Sequence, residues 1–584
     1  MKQFLKFTLA SIAGFAIVSL LFLFIGISVL FAMASKSETV VKENSVFVLD
    51  LSGVIEERTQ DNPFSVLWED AYAVSGLNDI LSAIDKANAN DDIKGIYLNV
   101  GVTVCSTATL QEIRAALSRF KESGKFIIAY CGAYVPQSAY YVASVADRLI
   151  LNPSGSIAWH GLATQRVFYK ELLDKLGVNM QIFRVGTYKS AVEPYMSNEM
   201  SEANREQTRA YLQSIWGQMT AAVAADRHIS MEKLNELAGM NMDLRPAGSY
   251  IENGMADTLM YKDEVLAYLK EAAGAAPDDK LNTLTLADMN NLPRVPSTSK
   301  NVIAVYYAYG EIDGGSSVMD GGIYSEKVAK ELRKLREDKA VKAVVLRVNS
   351  PGGSAYGSEQ IWREVAQLRV QKPVVVSMGD YAASGGYYIS CAADRIVAEP
   401  ATLTGSIGIF GVIPDMSELA TKKIGLHFDG VKTHDMSDMN SGMRPLSKDE
   451  KIIIQNMVND GYELFVRRCA EGRNMSADEI KRIAEGRVWT GEMAQKLNLV
   501  DELGGIDVAL SLAARLAEVE NDYRVSEYPV PTDFFSLLME MPDRYIRNRM
   551  QSTFGLYYNG LERIKYLKTL DRIQARIPYD LIVE

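Results

Sequence analysis

Short apolar runs alternate along the chain with stretches in which apolar residues recur at helical spacing. Residues 46–53 (VFVLDLSG) and 94–100 (KGIYLNV) have the β-branched, aliphatic and aromatic composition of buried strands. Between these runs, Ile80, Ile84 and Ala87 recur at the spacing of one helix face. The alternation of strand and helix predicts an α/β fold with a mainly parallel sheet.

The same pattern occurs twice in the chain. Residues 303–310 (IAVYYAYG) and 342–348 (KAVVLRV) match the two runs above, and residues 372–395 match residues 125–148 at eight of 24 positions. This similarity predicts a tandem duplication, with a first repeat at residues 45–275 and a second at residues 300–520. Residues 276–299, rich in Asp, Asn, Pro, Ser and Thr, have the composition of a linker.

The carboxy-terminal tail, residues 521–584, has no counterpart in the first repeat. Apolar positions such as Phe534, Leu538, Leu561 and Leu567 predict amphipathic helices there. We expect these helices to pack on the protein's own surface or on a neighbouring subunit. Contact with the membrane surface is the alternative.

The amino-terminal segment differs from the rest of the chain. Lys2 and Lys6 precede 29 residues without a charge, 7–35, and a helix of that length crosses a hydrocarbon core of about 30 Å. The segment predicts a transmembrane anchor, with residues 1–6 in the cytoplasm and the body outside it, which in a bacterium is the periplasm or cell exterior. A cleaved signal, with Ala32-Met33-Ala34 at the cleavage site, is the alternative.

Composition narrows the function classes. The 584 residues are 48% apolar and 23% charged, as expected of a folded protein of several domains. A net charge of −11 without a basic run disfavours nucleic acid as a partner. The four cysteines and four histidines lack the spacing of a metal site, so we predict no metal and no cofactor, with one disulfide left open.

The two repeats differ at one position with chemical meaning. When residues 125–148 and 372–395 are aligned, Ser384 stands opposite Gln137. We expect a strand at 372–377, a turn at 379–383 and a helix that begins near Ser384, where unpaired N–H groups stabilise an oxyanion. A serine that only caps this helix is the alternative.

A glycine-rich loop is also specific to the second repeat. Residues 349–354 (NSPGGS) contain Gly352 and Gly353, whereas the first repeat has GVTVCS at residues 101–106. Glycines permit the close backbone approach that an N–H donor loop needs. Together the serine and this loop indicate a nucleophile beside an oxyanion site, and a nucleophilic serine needs a base. His427 and His434 are candidates, and so is a lysine whose pKa is lowered by burial.

Four motifs carry a resemblance to a known family. GDYAASGGYYIS, NSPGGS, TGSIG and, at residues 184–195, RVGTYKSAVEPY resemble the signal peptide peptidase A family in its long, duplicated bacterial form. The resemblance covers nearly all of residues 1–520. It implies a tandem ClpP/crotonase-like spiral of βαβ units and a membrane-anchored serine endopeptidase that forms homo-oligomers, with a tetramer favoured.

The resemblance also implies roles for individual residues. Ser384 would be the nucleophile, Lys189 of the first repeat the general base, and Ser406 the residue that holds the lysine amine. Backbone N–H groups of Gly385, Gly352 and Gly353 would form the oxyanion site. The position opposite Lys189 falls within residues 434–439, which contain no lysine, so each repeat alone should be inert.

The implied substrates are remnant signal peptides cut from preproteins, with small or apolar residues next to the scissile bond. Two other functions fit the same scaffold. One is an acyl-CoA enzyme of the crotonase type, and the other is a non-catalytic, membrane-anchored assembly protein.

Overall fold

The computed structural model describes residues 39–59, 74–276, 279–293, 298–314, 322–439, 441–530 and 573–576, and a few residues between 6 and 21. Within these residues no helix is long and apolar enough to cross a membrane. Most of the anchor predicted at 7–35, and all the apolar tail positions named above, lie outside the described residues.

The first repeat is built on a parallel sheet whose apolar residues are buried by helices on both faces. Across the sheet the strands are Asn282–Leu284, Ser45–Glu56, Ile93–Val104, Phe126–Cys131, Arg148–Leu151 and Thr258–Leu259, with Val74–Gly76 paired to Ser45–Glu56. Its helices include Leu77–Ala89, Thr107–Lys121, Gln137–Ala143, Lys170–Leu176, Glu202–Arg227, Met231–Gly239, Ala247–Glu252, Lys262–Ala272 and Leu286–Asn291. Ile80, Ile84 and Ala87 are buried on one helix face, which confirms the predicted periodicity.

The second repeat has a matching sheet. Across it the strands are Val488–Thr490, Leu403–Gly405, Val374–Ala383, Val341–Ser350, Val302–Tyr309 and Arg524–Tyr528, and Arg395–Ala398 pairs with both Val374–Ala383 and Glu502–Leu503. Its helices include Ser325–Glu337, Ala355–Arg369, Gly385–Ser390, Lys448–Arg473, Ala477–Ile483, Gly491–Lys496 and Ile506–Leu516. The four runs predicted as strands from their apolar residues are therefore strands, and the α/β fold is confirmed.

Two short strands that lie outside the predicted bounds of the repeats pair with the sheets of the repeats. Strand Asn282–Leu284, inside the predicted linker 276–299, pairs in parallel with the start of Ser45–Glu56. In the same way, Arg524–Tyr528 of the predicted tail 521–584 pairs with Val302–Tyr309. Each sheet is thus completed by a short edge strand, whose partly exposed residues carry too weak an apolar pattern to be recognised in sequence.

A buried ion cluster holds the two repeats together. The guanidinium of Arg347, only 1% exposed, donates to Glu57 Oε2 at 2.8 Å and to Glu112 Oε1 at 2.5 Å, both in the first repeat. Burial raises the pKa of Glu112, and the charge of Arg347 opposes that rise. Because Arg347 lies on strand Val341–Ser350, the cluster fixes the loop that follows this strand against the first repeat.

A small antiparallel sheet joins three distant parts of the chain. Its strands are, in order, Gly352–Ser354, Ile573–Arg576, Phe410–Asp415 and Asn179–Arg184. The last belongs to the first repeat, the first and third belong to the second repeat, and Ile573–Arg576 comes from the tail. This sheet lies beside the residues that the sequence singled out.

Candidate active site

Ser384 lies at a strained junction between a strand and a helix. Strand Val374–Ala383 continues through the predicted turn at 379–383, and helix Gly385–Ser390 begins at the next residue after Ser384. Ser384 has a φ of 55° and a ψ of −112°, a conformation that costs a non-glycine residue about 1–3 kcal/mol. Its side chain is fully buried and makes no capping bond to the helix, so the capping alternative is wrong.

Lys189 reaches Ser384 from the first repeat. Its Nζ lies 2.8 Å from Ser384 Oγ, and it donates to Oγ and the backbone carbonyl of Ser406 at 3.1 Å each. The side chain is fully buried, and burial lowers the pKa of Lys189 well below that of an ordinary lysine. The amine is therefore neutral over a pH range in which a surface lysine is charged, and its lone pair can accept a proton.

Two glycines of the second repeat enclose the lysine side chain. A Cβ on Gly486 would lie 2.6 Å from Lys189 Cβ, and one on Gly408 would lie 3.3 Å from Lys189 Cδ. Gly486 also has a φ of +78°, which favours glycine. The sequence alone does not single out Gly486, because a glycine in a loop has many commoner explanations.

Ser406 connects the lysine to this glycine loop. Its backbone N–H donates to the Arg487 carbonyl at 2.7 Å, and its hydroxyl donates to the Gly486 carbonyl at 3.3 Å. With that hydroxyl proton engaged, the Ser406 oxygen is free to accept from Lys189 Nζ. The structure thus brings Ser384, Lys189 and Ser406 together.

The paired glycines do not have equivalent positions. The Gly352 N–H donates to Ser350 Oγ at 3.2 Å, so it is already engaged. Ile312 N donates to the Gly352 carbonyl, and Ser354 N donates to the Ile312 carbonyl. Because N–H and C=O groups of successive strand residues alternate in direction, the Gly353 groups face the other way, towards Ile573–Arg576.

Gly385 also lies beside the strand Ile573–Arg576. A Cβ on Gly385 would lie 2.8 Å from the Ala575 carbonyl oxygen and 3.1 Å from Gly352 Cα. Ala575 is also the residue opposite Gly353 in the antiparallel pairing. Of the three predicted oxyanion glycines, Gly353 and Gly385 therefore adjoin one carbonyl oxygen, whereas the N–H group of Gly352 bonds elsewhere.

The strand Ile573–Arg576 fills a groove one strand wide. Gly352–Ser354 borders it on one side and Phe410–Asp415 on the other, and both run antiparallel to it.

The two histidines considered as bases lie elsewhere, since His427 and His434 are exposed on the segment after residue 424. The four cysteines are free thiols.

Comparison with known proteins gives matches in both repeats of the chain. The sequence profile of Peptidase family S49 matches residues 119–276 and 366–520, one segment in each repeat. The chain is 36% identical over 527 residues to Protease 4 of Haemophilus influenzae, which covers 86% of this chain and 83% of that protein. It is 37% identical over 524 residues to Protease 4 of Salmonella typhi, with 86% and 84% covered.

A plant relative and a solved structure extend the comparison. The chain is 31% identical over 496 residues to "Serine protease SPPA, chloroplastic" of Arabidopsis thaliana, with 83% of this chain and 71% of that protein covered. A ClpP1 mutant from Listeria monocytogenes matches 35% of this chain and 92% of its own, at 17% identity and a TM-score of 0.23, too low to decide the fold class. The profile matches and the long relatives show that this chain belongs to peptidase family S49 and is a serine protease with a duplicated family domain.

Proposed function

We propose that this serine protease is an endopeptidase in which Ser384 attacks the peptide carbonyl and Lys189 accepts the Ser384 proton. The observation that carries the proposal is the 2.8 Å contact between Lys189 Nζ and Ser384 Oγ. The contact is fully buried, and burial lowers the pKa of Lys189 and so favours its neutral amine, with no carboxylate among the described residues in an ion pair with it. Membership of a serine protease family leaves the acyl-CoA and non-catalytic alternatives without support.

The reaction follows from the contacts around these two residues. Lys189 takes the proton as Ser384 Oγ bonds to the carbonyl carbon, and the N–H groups of Gly353 and Gly385 stabilise the oxyanion. Lys189 then returns the proton to the leaving amine, and it activates the water that hydrolyses the acyl-enzyme. Ser406 holds the Lys189 amine, and Gly352 provides the positive φ of 103° that turns Gly353 towards the groove.

The substrate proposed is an extended peptide. Gly352–Ser354 and Phe410–Asp415 are spaced to receive a strand between them, and strand addition gives affinity through main-chain bonds that any sequence can make. The fully buried position of Ala575 beside Gly385 favours a small residue before the scissile bond. Remnant signal peptides, which end in small residues, meet both requirements.

The proposed setting is the outer face of the bacterial inner membrane. Residues 7–35 would anchor the chain by a single helix, with the catalytic body in the periplasm, and the chain would form a homo-oligomer, a tetramer being favoured. Resistance of the full chain to alkaline extraction, with the body cut by protease added from the periplasmic side, would support the anchor. Extraction into the supernatant would contradict it, and sedimentation tests the tetramer.

The catalytic proposal is tested by covalent labelling and peptide hydrolysis. We expect a fluorophosphonate to label the full chain and Ser390→Ala, a buried serine in the same helix, but not Ser384→Ala. A library of peptides with alanine at each position then reports the bond that is cut. Retention of the label or of hydrolysis in Ser384→Ala would show that another residue is the nucleophile.

A further inference from the structure

The guanidinium of Arg487 lies between two aromatic rings where the repeats meet. Its Cζ is 4.6 Å from the centroid of the Tyr188 ring, which belongs to the first repeat, and 4.4 Å from that of Trp489. Its Nη1 donates to the Tyr188 hydroxyl at 3.1 Å, and its Nη2 lies 2.9 Å from Glu206 Oε1. The Tyr188 hydroxyl donates in turn to Glu206 Oε2 at 3.0 Å. Arg487 is therefore held by stacking, by a hydrogen bond and by an ion pair, and its partners lie in both repeats.

This stack adjoins the residues that enclose the proposed general base. Tyr188 directly precedes Lys189 in the chain, and Arg487 directly follows Gly486, against which the Lys189 side chain packs. The Arg487 carbonyl accepts from Ser406 N at 2.7 Å, and the Ser406 hydroxyl bonds to the Lys189 amine. A shift of Arg487 away from Tyr188 would therefore move Gly486 away from Lys189.

The fit between Gly486 and Lys189 leaves no room for water. A Cβ on Gly486 would lie 2.6 Å from Lys189 Cβ and 2.8 Å from Lys189 Cδ, closer than a real Cβ approaches its neighbours. Next to this contact, Tyr188 N donates to the Glu485 carbonyl at 3.0 Å, which joins the two backbones. Because burial lowers the pKa of Lys189, water admitted here would raise that pKa towards the value of an ordinary lysine.

The first repeat has no arginine at the matching position. Counted back from Asp257 and Asp501, which pair with the last arginines of the two long helices, Asp243 stands opposite Arg487. Asp243 Oδ1 accepts from Trp159 N at 3.2 Å, a contact within the first repeat. The stacked arginine therefore belongs to the repeat that covers the lysine.

We propose that Arg487 is a positioning residue for the general base, Lys189. Stacked between the two rings and paired with Glu206, it keeps Gly486 against the lysine side chain and excludes water from the amine. This inference rests on the proposed Ser384 and Lys189 chemistry. A planar guanidinium stacks on rings through its faces and bonds through its edge at the same time, which the ammonium of a lysine cannot do.

The charged groups near Lys189 bond to partners other than its amine, which bonds to Ser384 and Ser406. Arg184 Nη1 donates to the Lys189 carbonyl at 3.4 Å. The other titratable groups on the segments around Lys189 are Glu485, which accepts from Thr187 N, Glu193, which accepts from Ser201 and Asn204, Lys481, which pairs with Glu463, and the bonded set Tyr188, Glu206 and Arg487. The lowered pKa of Lys189 comes from burial, so its value reports whether the amine stays dry.

The pH dependence of kcat/KM for peptide hydrolysis by the full chain tests the proposal. In Arg487→Met, which keeps an unbranched side chain, the acid limb should move to higher pH by about one unit, because water reaches the Lys189 amine. At a pH on that limb kcat/KM then falls roughly 10-fold, and at high pH it returns towards the wild-type value, since the amine is neutral in both proteins. A purely structural loss would lower kcat/KM by the same factor at every pH, and that result would overturn the proposal.

Two further variants separate positioning from charge. Arg487→Lys keeps the positive charge but loses the stacking, so its acid limb should move as in Arg487→Met. A wild-type profile in Arg487→Lys would show that charge alone acts on Lys189 and would overturn the proposal. Arg468→Met is the matched control, because Arg468 is also 21% exposed, lies 3.8 Å from the centroid of the Trp362 ring and pairs with Glu359. Its acid limb should stay at the wild-type pH, and an equal shift there would overturn the proposal.

Glu206→Ala keeps the test open if Arg487→Met does not fold. The carboxylate of Glu206 is 55% exposed, and its removal frees one edge of the guanidinium. Loss of this negative charge by itself would move the acid limb to lower pH, whereas loosened packing moves it to higher pH. A move to higher pH therefore supports the positioning role, and an unchanged or lower limb overturns it.

The outcomes separate this inference from the proposed function. If hydrolysis depends on Ser384 and Lys189 but Arg487→Met keeps the wild-type pH profile, the positioning role is overturned and the proposed function stands. If Lys189→Met keeps both the hydrolysis and the acid limb of the wild type, the proposed function itself is overturned.

Discussion

The two repeats share a scaffold in detail that goes beyond their strands. Each has a 26-residue helix, Glu202–Arg227 or Lys448–Arg473, which a serine caps at its start and a left-handed residue follows at its end. The last arginine of each helix bonds to an aspartate, Arg227 to Asp257 at 2.6 Å and Arg473 to Asp501 at 2.8 Å. Against so similar a background, the places where the repeats differ show where function has been added.

The start of the short helix is the first such difference. In the first repeat Gln137 begins the helix, its Nε2 donates to the Gly161 carbonyl at 2.7 Å, and its Oε1 accepts from His160 N at 3.3 Å. In the second repeat Ser384 has a positive φ and bonds to Lys189 instead. The amide closes the first site with local bonds, whereas the second holds a strained hydroxyl in place for a partner from elsewhere.

The loop before the long helix is the second difference. Counted back from the capping residues Ser201 and Ser447, Lys189 stands opposite Asp435, which is exposed. Lys189 is buried because Gly486 and Gly408 of the other repeat cover it. A lysine can act as a base where burial lowers its pKa. The loop of Lys189 is buried against the other repeat, whereas the position of Asp435 is exposed.

The largest effect is expected at the aligned pair Ser384 and Gln137. Ser384→Ala should lower kcat/KM for peptide hydrolysis by at least ~10⁴-fold, because the nucleophile is removed. Gln137→Ala should leave kcat/KM close to that of the wild type, since its bonds are structural. A large loss of activity in Gln137→Ala, with the folded state intact by circular dichroism, would mean that the first repeat also takes part in chemistry.

Lys189→Met is expected to separate activity from stability. Hydrolysis should fall by about 10³-fold or more, because the base is lost. In the wild type, kcat/KM should rise as the pH passes the lowered pKa of Lys189, since the neutral amine is the active form.

Lys189→Met should raise the stability of the folded protein although it lowers the activity. As the pH rises, the folded chain loses its proton at Lys189 at the lowered pKa, whereas the unfolded chain keeps its proton up to a pH of about 10.4. Between these two values the unfolded chain binds more protons, so the stability of the wild type should rise with pH. Lys189→Met should remove this slope and raise the melting temperature at neutral pH. A steeper slope in the variant would show that the lysine is charged when buried.

Ser406→Ala is expected to have an intermediate effect. The change removes one of the oxygen atoms that hold Lys189 Nζ, and a hydrogen bond of about 1–3 kcal/mol corresponds to a loss of roughly 5- to 160-fold in kcat. Ser156, which follows glycine and precedes isoleucine just as Ser406 does, is the matched control in the first repeat. Equal losses in Ser156→Ala and Ser406→Ala would mean that the Ser406 hydroxyl acts only through the turn.

The smallest contrast is expected at the two arginine–aspartate pairs. Arg227 and Arg473 are each 7% exposed and their aspartates are each 24% exposed, so the two pairs have the same environment. Arg227→Leu and Arg473→Leu should each lower the free energy of unfolding by about 1.5–3 kcal/mol in urea titrations. A clear difference between them would show that the two scaffolds do not have equal stability.

The sequence by itself determined the α/β fold, the duplication and the residues of the candidate site. Apolar runs such as 303–310 and 342–348 predict buried strands because the apolar pattern of a segment can be seen in its own residues. Ser384 and Gln137 differ visibly in an alignment of the chain with itself, and the family motifs then singled out Lys189 and Ser406. None of this required a knowledge of which loops meet in space.

Only the tertiary structure decided how those residues act together. The enclosure of Lys189 by Gly486, the direction of the Gly353 groups and the place of Ile573–Arg576 in the groove all depend on segments far apart in the chain. Short strands such as Asn282–Leu284 and Arg524–Tyr528 take their conformation from the sheet edge that they join, not from their own residues. Burial of a charge and pairing of a backbone group are properties of the partner surface, and the partner surface forms only when the chain folds.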